Sequence, residues 1–352
     1  MDSYILNKQI FNKKWILGFF LIFSVFLLQG CEPNSNGKKY QEVLLQGKTM
    51  GTTFTVKVFV PDSEVRSLNL FSDVKDLLAD INQSMSTYIE DSEISRFNRS
   101  EANTAFPLSE DFRTVLVESI RLGNSTKTLD VTMGPLIDLW GFGPDKQPTK
   151  VPTAEQLQSI KDKMGVDKLL LSNAGLSKSI QDLELSLSAI AKGFGVDKVA
   201  ELLEKNGYTN YMVEIGGELR LSGSKPNGDL WAIAIEQPDP ALLQPAVHRT
   251  LKLSTISVAT SGDYRIFYEL EGTTYAHIIS PETGKPIKQD LVSVTVLHPS
   301  SMTADALATA LTVMGTEKAK QYAEQNNIAV YLISKTTEGL KTYSSSKFAP
   351  YL

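Results

Sequence analysis

Apolar residues recur at every second position through Val43, Leu45, Phe54, Val56 and Val58, the period of a half-buried strand. The break at Thr49-Met50-Gly51-Thr52-Thr53 predicts two strands between Tyr40 and Val60 joined by a compact turn. The period then lengthens. Leu70, Val74, Leu77, Leu78 and Ile81 predict a helix within 63–84, Val115, Leu116, Ile120 and Leu122 predict another over 111–125, and Thr153-Ala154-Glu155-Gln156 is the start signal of one over 153–164. Ser92 to Asn98 reads as a short capped turn of helix, and short strands are expected over 166–172, 176–180 and 184–188. From Leu185 the alternation passes through a small-residue turn at Gly193 and Gly195 into the helical spacing of Val196, Val199, Ala200 and Leu203. Strands resume at 211–215, 218–222, 231–236, 251–253, 257–260, 266–270, 275–279 and 290–297. Two helices over 303–314 and 316–325 follow, and a last strand over 329–334 closes the sheet. This order predicts an α+β fold, a largely antiparallel sheet packed with helices.

Residues 1 to 31 change the picture of where the chain works. Lys8, Lys13 and Lys14 precede an uncharged apolar run from Trp15 to Leu28, too short for a comfortable span, and the run ends in Leu28-Gln29-Gly30-Cys31. That ending resembles the bacterial lipobox, in which the leader is cleaved and the cysteine thiol is acylated. Cys31 is the only cysteine in the chain and so has no internal disulfide partner. The expected layout is a signal peptide over 1–30, a polar tether over 31–40 and a domain over 41–352, held to a membrane by lipid on the extracytoplasmic side. With 352 residues and a formal net charge of −5, the chain is long enough for a substantial core and lacks the basic excess of a nucleic-acid binder.

Candidate chemistry sits at three places. A strand-to-helix entry leaves the first helical N–H groups unpaired at the positive end of the dipole, an anion site with Lys192 at its junction. Asp305 and Thr309 are four apart and share a helix face, where a carboxylate and a hydroxyl suit a hard cation such as Mg²⁺. The same spacing also fits an Asp favouring the first turn and a Thr bonded back to its own helix. His277, near the end of a strand and before a Pro/Gly turn, is placed for a general base or for a structural role. His248, His277 and His298 show no zinc-ligand spacing, and no nucleophile elbow, dinucleotide fingerprint or Walker lysine is present.

Eight segments in collinear order resemble the ApbE family of bacterial FAD:protein FMN transferases. They are Thr49 to Thr53, Ser86-Thr87-Tyr88 with Ser92 to Asn98, Asp130 to Leu136 with Leu139 to Pro144, Ala189 to Gly193, Ile215 to Glu218, Ser261 to Tyr264, His277 to Pro281 with Thr283-Gly284, and Ala304 to Thr309. The resemblance implies a T-fold-like core with FAD in a cleft between sub-domains. Met50 and Tyr88 would lie by the flavin, Thr128, Leu129 and Asp130 on the cofactor, Lys192 on one of its polar groups, and His277 and Ile278 along the cleft. Mg²⁺ would be held by the Ala189 carbonyl and by Asp305 and Thr309. The implied reaction joins FMN through a phosphoester to a threonine or serine of a partner protein, a subunit of a membrane redox complex in this family's setting, and releases AMP. His277 is then the expected base, with Asp263 as a substitute, and Asp305 serves catalysis through the metal. Family members often carry Asp-Leu-Gly where this chain has Ser186-Leu187-Ser188. An FAD pyrophosphatase yielding FMN and AMP, and a flavin-binding lipoprotein without turnover, are the competing readings.

Overall fold

The computed structural model describes residues 39–64, 69–144, 148, 150–238, 246–262 and 267–352. The leader, Cys31, most of the tether and Asp263 lie outside the described residues. Lys39–Leu352 forms one compact unit.

The two leading strands are β1 (Tyr40–Thr49) and β2 (Thr52–Pro61). Met50 and Gly51 turn between them with φ of 48° and 71°, a left-handed pair that a tight hairpin requires. Five helices and a small hairpin follow: α1 (Leu70–Met85), α2 (Glu93–Asn98), α3 (Glu110–Thr126), α4 (Gly134–Leu139), α5 (Ala154–Lys161), β3 (Leu169–Ser172) and β4 (Gly175–Lys178). The Thr153 side chain and Gln156 complete a capping box at the start of α5. Next come α6 (Ala191–Lys205), β5 (Tyr211–Ile215), β6 (Glu218–Ser222), β7 (Trp231–Glu236), β8 (Val247–Leu253), β9 (Ile256–Gly262), β10 (Phe267–Leu270), β11 (Thr273–Ala276) and β12 (Leu291–His298). The chain ends with α7 (Ser301–Met314), α8 (Thr316–Gln325), β13 (Ala329–Thr336) and β14 (Gly339–Ser344).

Among the described residues, eight strands make one antiparallel sheet in the order β1-β2-β5-β6-β9-β12-β13-β14. Both faces of its centre are covered. Val294, Val296, Val330 and Leu332 pack in the helical core with Val196, Val199 and Leu311, whereas Leu297, Tyr331 and Ile333 pack with Trp231, Ile233 and Leu251 of the β7–β8 pair. Two-sided burial explains why β12 and β13 read as near-continuous apolar runs. A smaller core gathers Met133, Leu136, Trp140, Leu157 and Ile279, and the Trp140 indole N–H donates to the Gly284 carbonyl at 2.8 Å.

Four expectations are corrected. The helix expected from residue 63 begins at Leu70. Residues 184–188 form no strand: Glu184 makes a single bridge to Met133, the Leu185 N–H donates to Asn98 Oδ1 at 2.8 Å and the Ser186 N–H to the Val131 carbonyl at 2.8 Å. The alternation of Leu183, Leu185 and Leu187 does mark burial, but loops and a side chain take the place of a neighbouring strand. Gly193 and Gly195 lie inside the first turns of α6 rather than in a turn before it. Finally, β13 does not close the sheet, because β14 pairs along its outer edge.

Helices α6 and α7 cap one another. Asp197 on α6 accepts from the Ser301 and Met302 N–H groups at the start of α7, each at 3.0 Å, and from Ser300 Oγ at 2.8 Å, while Arg220 on β6 pairs with it at 3.0 Å. Asp305 on α7 accepts from the Gly193 N–H at the start of α6 at 2.9 Å. The helices meet so closely that a Cβ on Gly193 would lie 2.3 Å from the Ser301 carbonyl oxygen. Replacing Asp197 by Ala leaves two helix N–H groups without their acceptor and Arg220 with Glu204, at 3.0 Å, as its remaining acid, so Asp197→Ala is expected to lower unfolding stability by about 3 kcal/mol. A urea midpoint equal to that of the wild type would show that the cap carries no such weight.

Candidate active site

The turn-and-helix junction at residue 189 is built by that mutual capping. Gly193 is the third residue of α6, so its N–H belongs to the first turn and has no acceptor within the helix, whose first backbone bond runs from the Phe194 N–H to the Ile190 carbonyl. That orphan donor is satisfied by Asp305 Oδ2, and the Ala189 carbonyl, just outside the helix, receives no backbone N–H among the described residues. One turn along α7 from Asp305, the Thr309 hydroxyl makes no hydrogen bond among the described residues. Thr114, Thr126 and Thr312, by contrast, each donate to the carbonyl four residues back. The back-bonded alternative for Thr309 is therefore not what the helix adopts. The buried Asp305 carboxylate thus stands at the first turn of α6, with the Thr309 hydroxyl one turn along α7 and the Ala189 carbonyl just before the α6 N-cap. This all-oxygen set fits a hard cation that completes its shell with water or phosphate oxygens. Among the described residues no three His, Cys, Asp or Glu side chains gather as a metal cluster.

Lys192 links this set to a second acid. Its Nζ lies 3.5 Å from Asp305 Oδ1 and 3.2 Å from Glu218 Oε1. Asp305 is 3% exposed and Glu218 4%. Burial works against the Lys192 charge, but the Asp305 and Glu218 carboxylates outweigh it and hold the ammonium above its ordinary range. Burial raises the Asp305 carboxyl against the opposing pull of Lys192 and the Gly193 N–H. Burial also pushes Glu218 up to about 8, with Lys192 opposing and the Asp305 charge adding to the rise.

The other expected site residues fall around this centre in two groups. Met50 packs on the start of α6, its Cε 2.9 Å from where a Gly195 Cβ would stand. Thr128 Oγ1 donates to the Ala310 carbonyl at 2.8 Å, Asp130 Oδ1 accepts from the Thr132 N–H at 2.8 Å and from its hydroxyl at 2.6 Å, and Leu129 is buried. These contacts fix the segment after α3 against α7, beside Thr309. The second group is Tyr88, His277 and Ile278, of which Tyr88 lines a cavity of about 200 Å³ together with Asp138, Phe142, Glu184, Ser186 and Ser188. Tyr88 is 68% exposed, leaving its ring open to a flat ligand, and its hydroxyl donates to the Phe142 carbonyl at 3.1 Å. His277, just past β11, meets the Phe142 ring edge-on at 6.4 Å between centroids. Ile278 is buried and its carbonyl accepts from Ile287 at 2.9 Å, so it supports the rim from behind.

Sequence reasoning missed the part played by Glu218, which stood only as the last residue of a Gly-Gly motif, and by Asp197. A charged residue on the apolar face of a helix was the available signal for Asp197, four residues after Gly193 on the same face.

The fold and the site define a protein with an antiparallel α+β core whose two mutually capped helices present an oxygen-rich, anion-ready junction. The ApbE family model matches residues 50–332, and the chain belongs to that family. It is 46% identical over 341 residues to a Vibrio cholerae protein named FAD:protein FMN transferase, covering 97% of this chain and 99% of that one. A Haemophilus influenzae protein of the same name is 46% identical over 344 residues, covering 96% and 97%. Among solved structures, the flavin transferase ApbE from Vibrio cholerae superposes with a TM-score of 0.82 at 45% identity, covering 89% of this chain and 100% of that one. The apo flavinyl transferase ApbE from Pseudomonas stutzeri gives 0.80 at 35% identity, covering 89% and 97%.

The raised Glu218 pKa has a consequence for stability. A carboxyl whose folded value, about 8, exceeds its unfolded 4.5 binds its proton more tightly in the folded state. Its contribution is complete below the unfolded value and is lost as pH rises through the folded one. Urea unfolding of the metal-free protein is expected to show stability falling between pH of about 5 and about 8, with a shallower fall in Glu218→Gln. Parallel profiles for the two proteins would place the buried charge cost elsewhere.

Proposed function

We propose that the protein transfers the FMN half of FAD to a hydroxyl of an acceptor protein, the activity that its relatives' names state. The observation that carries this reading is the junction where the Ala189 carbonyl, Asp305 and Thr309 offer only oxygen ligands at a helix entry. The proposed metal is Mg²⁺ on those three groups, and when bound it supplies positive charge for the pyrophosphate oxygens of FAD. Lys192 and the α6 N-terminus add fixed positive charge on the same side. Met50 and Tyr88 are the proposed neighbours of the flavin, and Thr128, Leu129, Asp130 and Ile278 shape the walls that hold the dinucleotide.

In the proposed reaction an acceptor threonine or serine oxygen bonds to the FMN-side phosphorus. The bond from that phosphorus to the bridging oxygen breaks, and AMP leaves with the bridging oxygen. The hydroxyl proton passes to an imidazole nitrogen of His277, a role supported by its ring contact with Phe142, which with Tyr88 lines the cavity. Asp305 acts through the metal and not as the base, because a carboxylate that ligates a cation is a poor proton acceptor.

The Leu28-Gln29-Gly30-Cys31 pattern supports a chain cleaved before Cys31, acylated there and tethered by residues 31–40 to a membrane outside the cytoplasm. The acceptor is then an extracytoplasmic protein domain, such as one belonging to a membrane redox complex.

Incubation with FAD, Mg²⁺ and a candidate acceptor is expected to add the mass of one FMN to the acceptor and to release AMP. Brisk AMP release without acceptor would make the protein a pyrophosphatase, and FAD bound with no AMP formed would make it a carrier. Asp305→Ala is expected to abolish turnover. His277→Ala is expected to slow transfer at least about 100-fold with Mg²⁺ still bound, and an unchanged rate would remove His277 as the base.

A further inference from the structure

Glu218 is a buried acid with one oxygen paired and one not. Its Oε1 faces Lys192 Nζ at 3.2 Å, while Oε2 is buried with no hydrogen-bond partner. An unpaired buried oxygen is costly to keep. The neighbouring contact is the weak one: Nζ stands 3.5 Å from Asp305 Oδ1, beyond the ordinary length of a charge-assisted hydrogen bond. Lys192 therefore sits between two carboxylates with an open place on the Glu218 side.

We propose that Glu218 is a positioning residue that draws the Lys192 ammonium off Asp305, so that Asp305 is released to ligate a divalent cation. This inference rests on the metal reading given above. In the metal-free protein Lys192 is the resident cation that keeps Asp305 from being an uncompensated buried charge. When a divalent ion arrives, two cations compete for one carboxylate, and the lysine moves to the paired seat offered by Oε1 and Oε2. An ammonium seated there favours the ionised form of Glu218. The cluster then holds two negative charges against a lysine and a divalent ion, an excess that an anionic dinucleotide neutralises.

The turn between β5 and β6 is shaped for that movement. Gly216 has φ of 59°, and a Cβ there would lie 3.3 Å from Lys192 Cδ and 2.8 Å from Thr52 Cγ2. The lysine stem thus runs over bare backbone. Gly217 at φ of 105° donates its N–H to Glu214 Oε1 at 2.7 Å, which anchors the turn and directs the chain into Glu218.

The test is calorimetric titration of MgCl₂ alone into the intact chain without FAD, for the wild type, Glu218→Gln, Lys192→Met, the double variant and Asp305→Asn, with a urea midpoint for each as a check of folding. Glu218→Gln is expected to weaken Mg²⁺ about tenfold, and Lys192→Met, which removes the competitor, to tighten it. In the Lys192→Met background the Glu218→Gln loss is expected to shrink to about twofold. A merely electrostatic or structural Glu218 would give the same loss in both backgrounds, and that result, or no loss at all, overturns the proposal. The Lys192 ammonium signal in a ¹H–¹⁵N spectrum is expected to shift on Mg²⁺ addition in the wild type and to stay in place in Glu218→Gln. A signal unmoved in the wild type also overturns it. Wild-type Mg²⁺ affinity in Asp305→Asn would instead overturn the metal reading itself, a failure distinct from that of the lysine transfer.

Discussion

The structure depends on two helices that terminate each other. Asp197 of α6 satisfies the first N–H groups of α7, and Asp305 of α7 satisfies an N–H in the first turn of α6. Helix N-termini carry unpaired donors and the positive end of the dipole, so each carboxylate is both a cap and a counter-charge. Gly193 is what lets the pair close, since any side chain there would meet the α7 backbone. The arrangement also creates chemistry. The buried Asp305 carboxylate is held at the first turn of α6, just after an Ala189 carbonyl that receives no backbone N–H among the described residues.

The sheet gives this junction a rigid base. Its helix-facing side joins the core of α1, α3, α6 and α7, and its other side is sealed by β7 and β8. Groups on the junction therefore come from elements buried on two or more sides: Lys192 from α6, Glu218 from β6, Asp305 and Thr309 from α7. The cavity near Tyr88 has a different footing. It leans on the smaller core around Trp140, whose indole holds the loop at Gly284 just beyond His277. The junction thus rides on the central sheet and the cavity on a satellite core.

Periodicity made most of this legible. The strands at 211–215, 218–222 and 231–236 were readable because one face is buried and the sequence alternates, and the Asp305–Thr309 face followed from helical spacing alone. What stayed hidden depends on long-range partners. Gly193 looks like a turn residue until Ser301 is seen against it, and no spacing reveals that Lys192 meets an acid 113 positions away. The last strand, β14, was invisible for another reason: as an exposed edge, Gly339 to Lys341 carry no alternation of buried residues. At residues 184–188 the alternation reported burial truthfully, but Asn98 and Val131 supplied the partners that a neighbouring strand was expected to give.

The same segment shows how a neutral residue at position 186 suits the cavity. Ser186 Oγ donates to Ser188 Oγ at 3.2 Å, and both residues line the cavity together with Glu184 and Asp138. An aspartate in place of Ser186 would set a third carboxylate among these two, and like charges around a shared cavity raise the cost of ionising each other. A neutral hydroxyl pair keeps hydrogen-bonding capacity on that wall without adding charge. The polarity of the wall then comes from Glu184 and Asp138, and the hydroxyls at 186 and 188 supply direction. Positive charge is left to the opposite end of the segment, where Lys192 and the start of α6 stand.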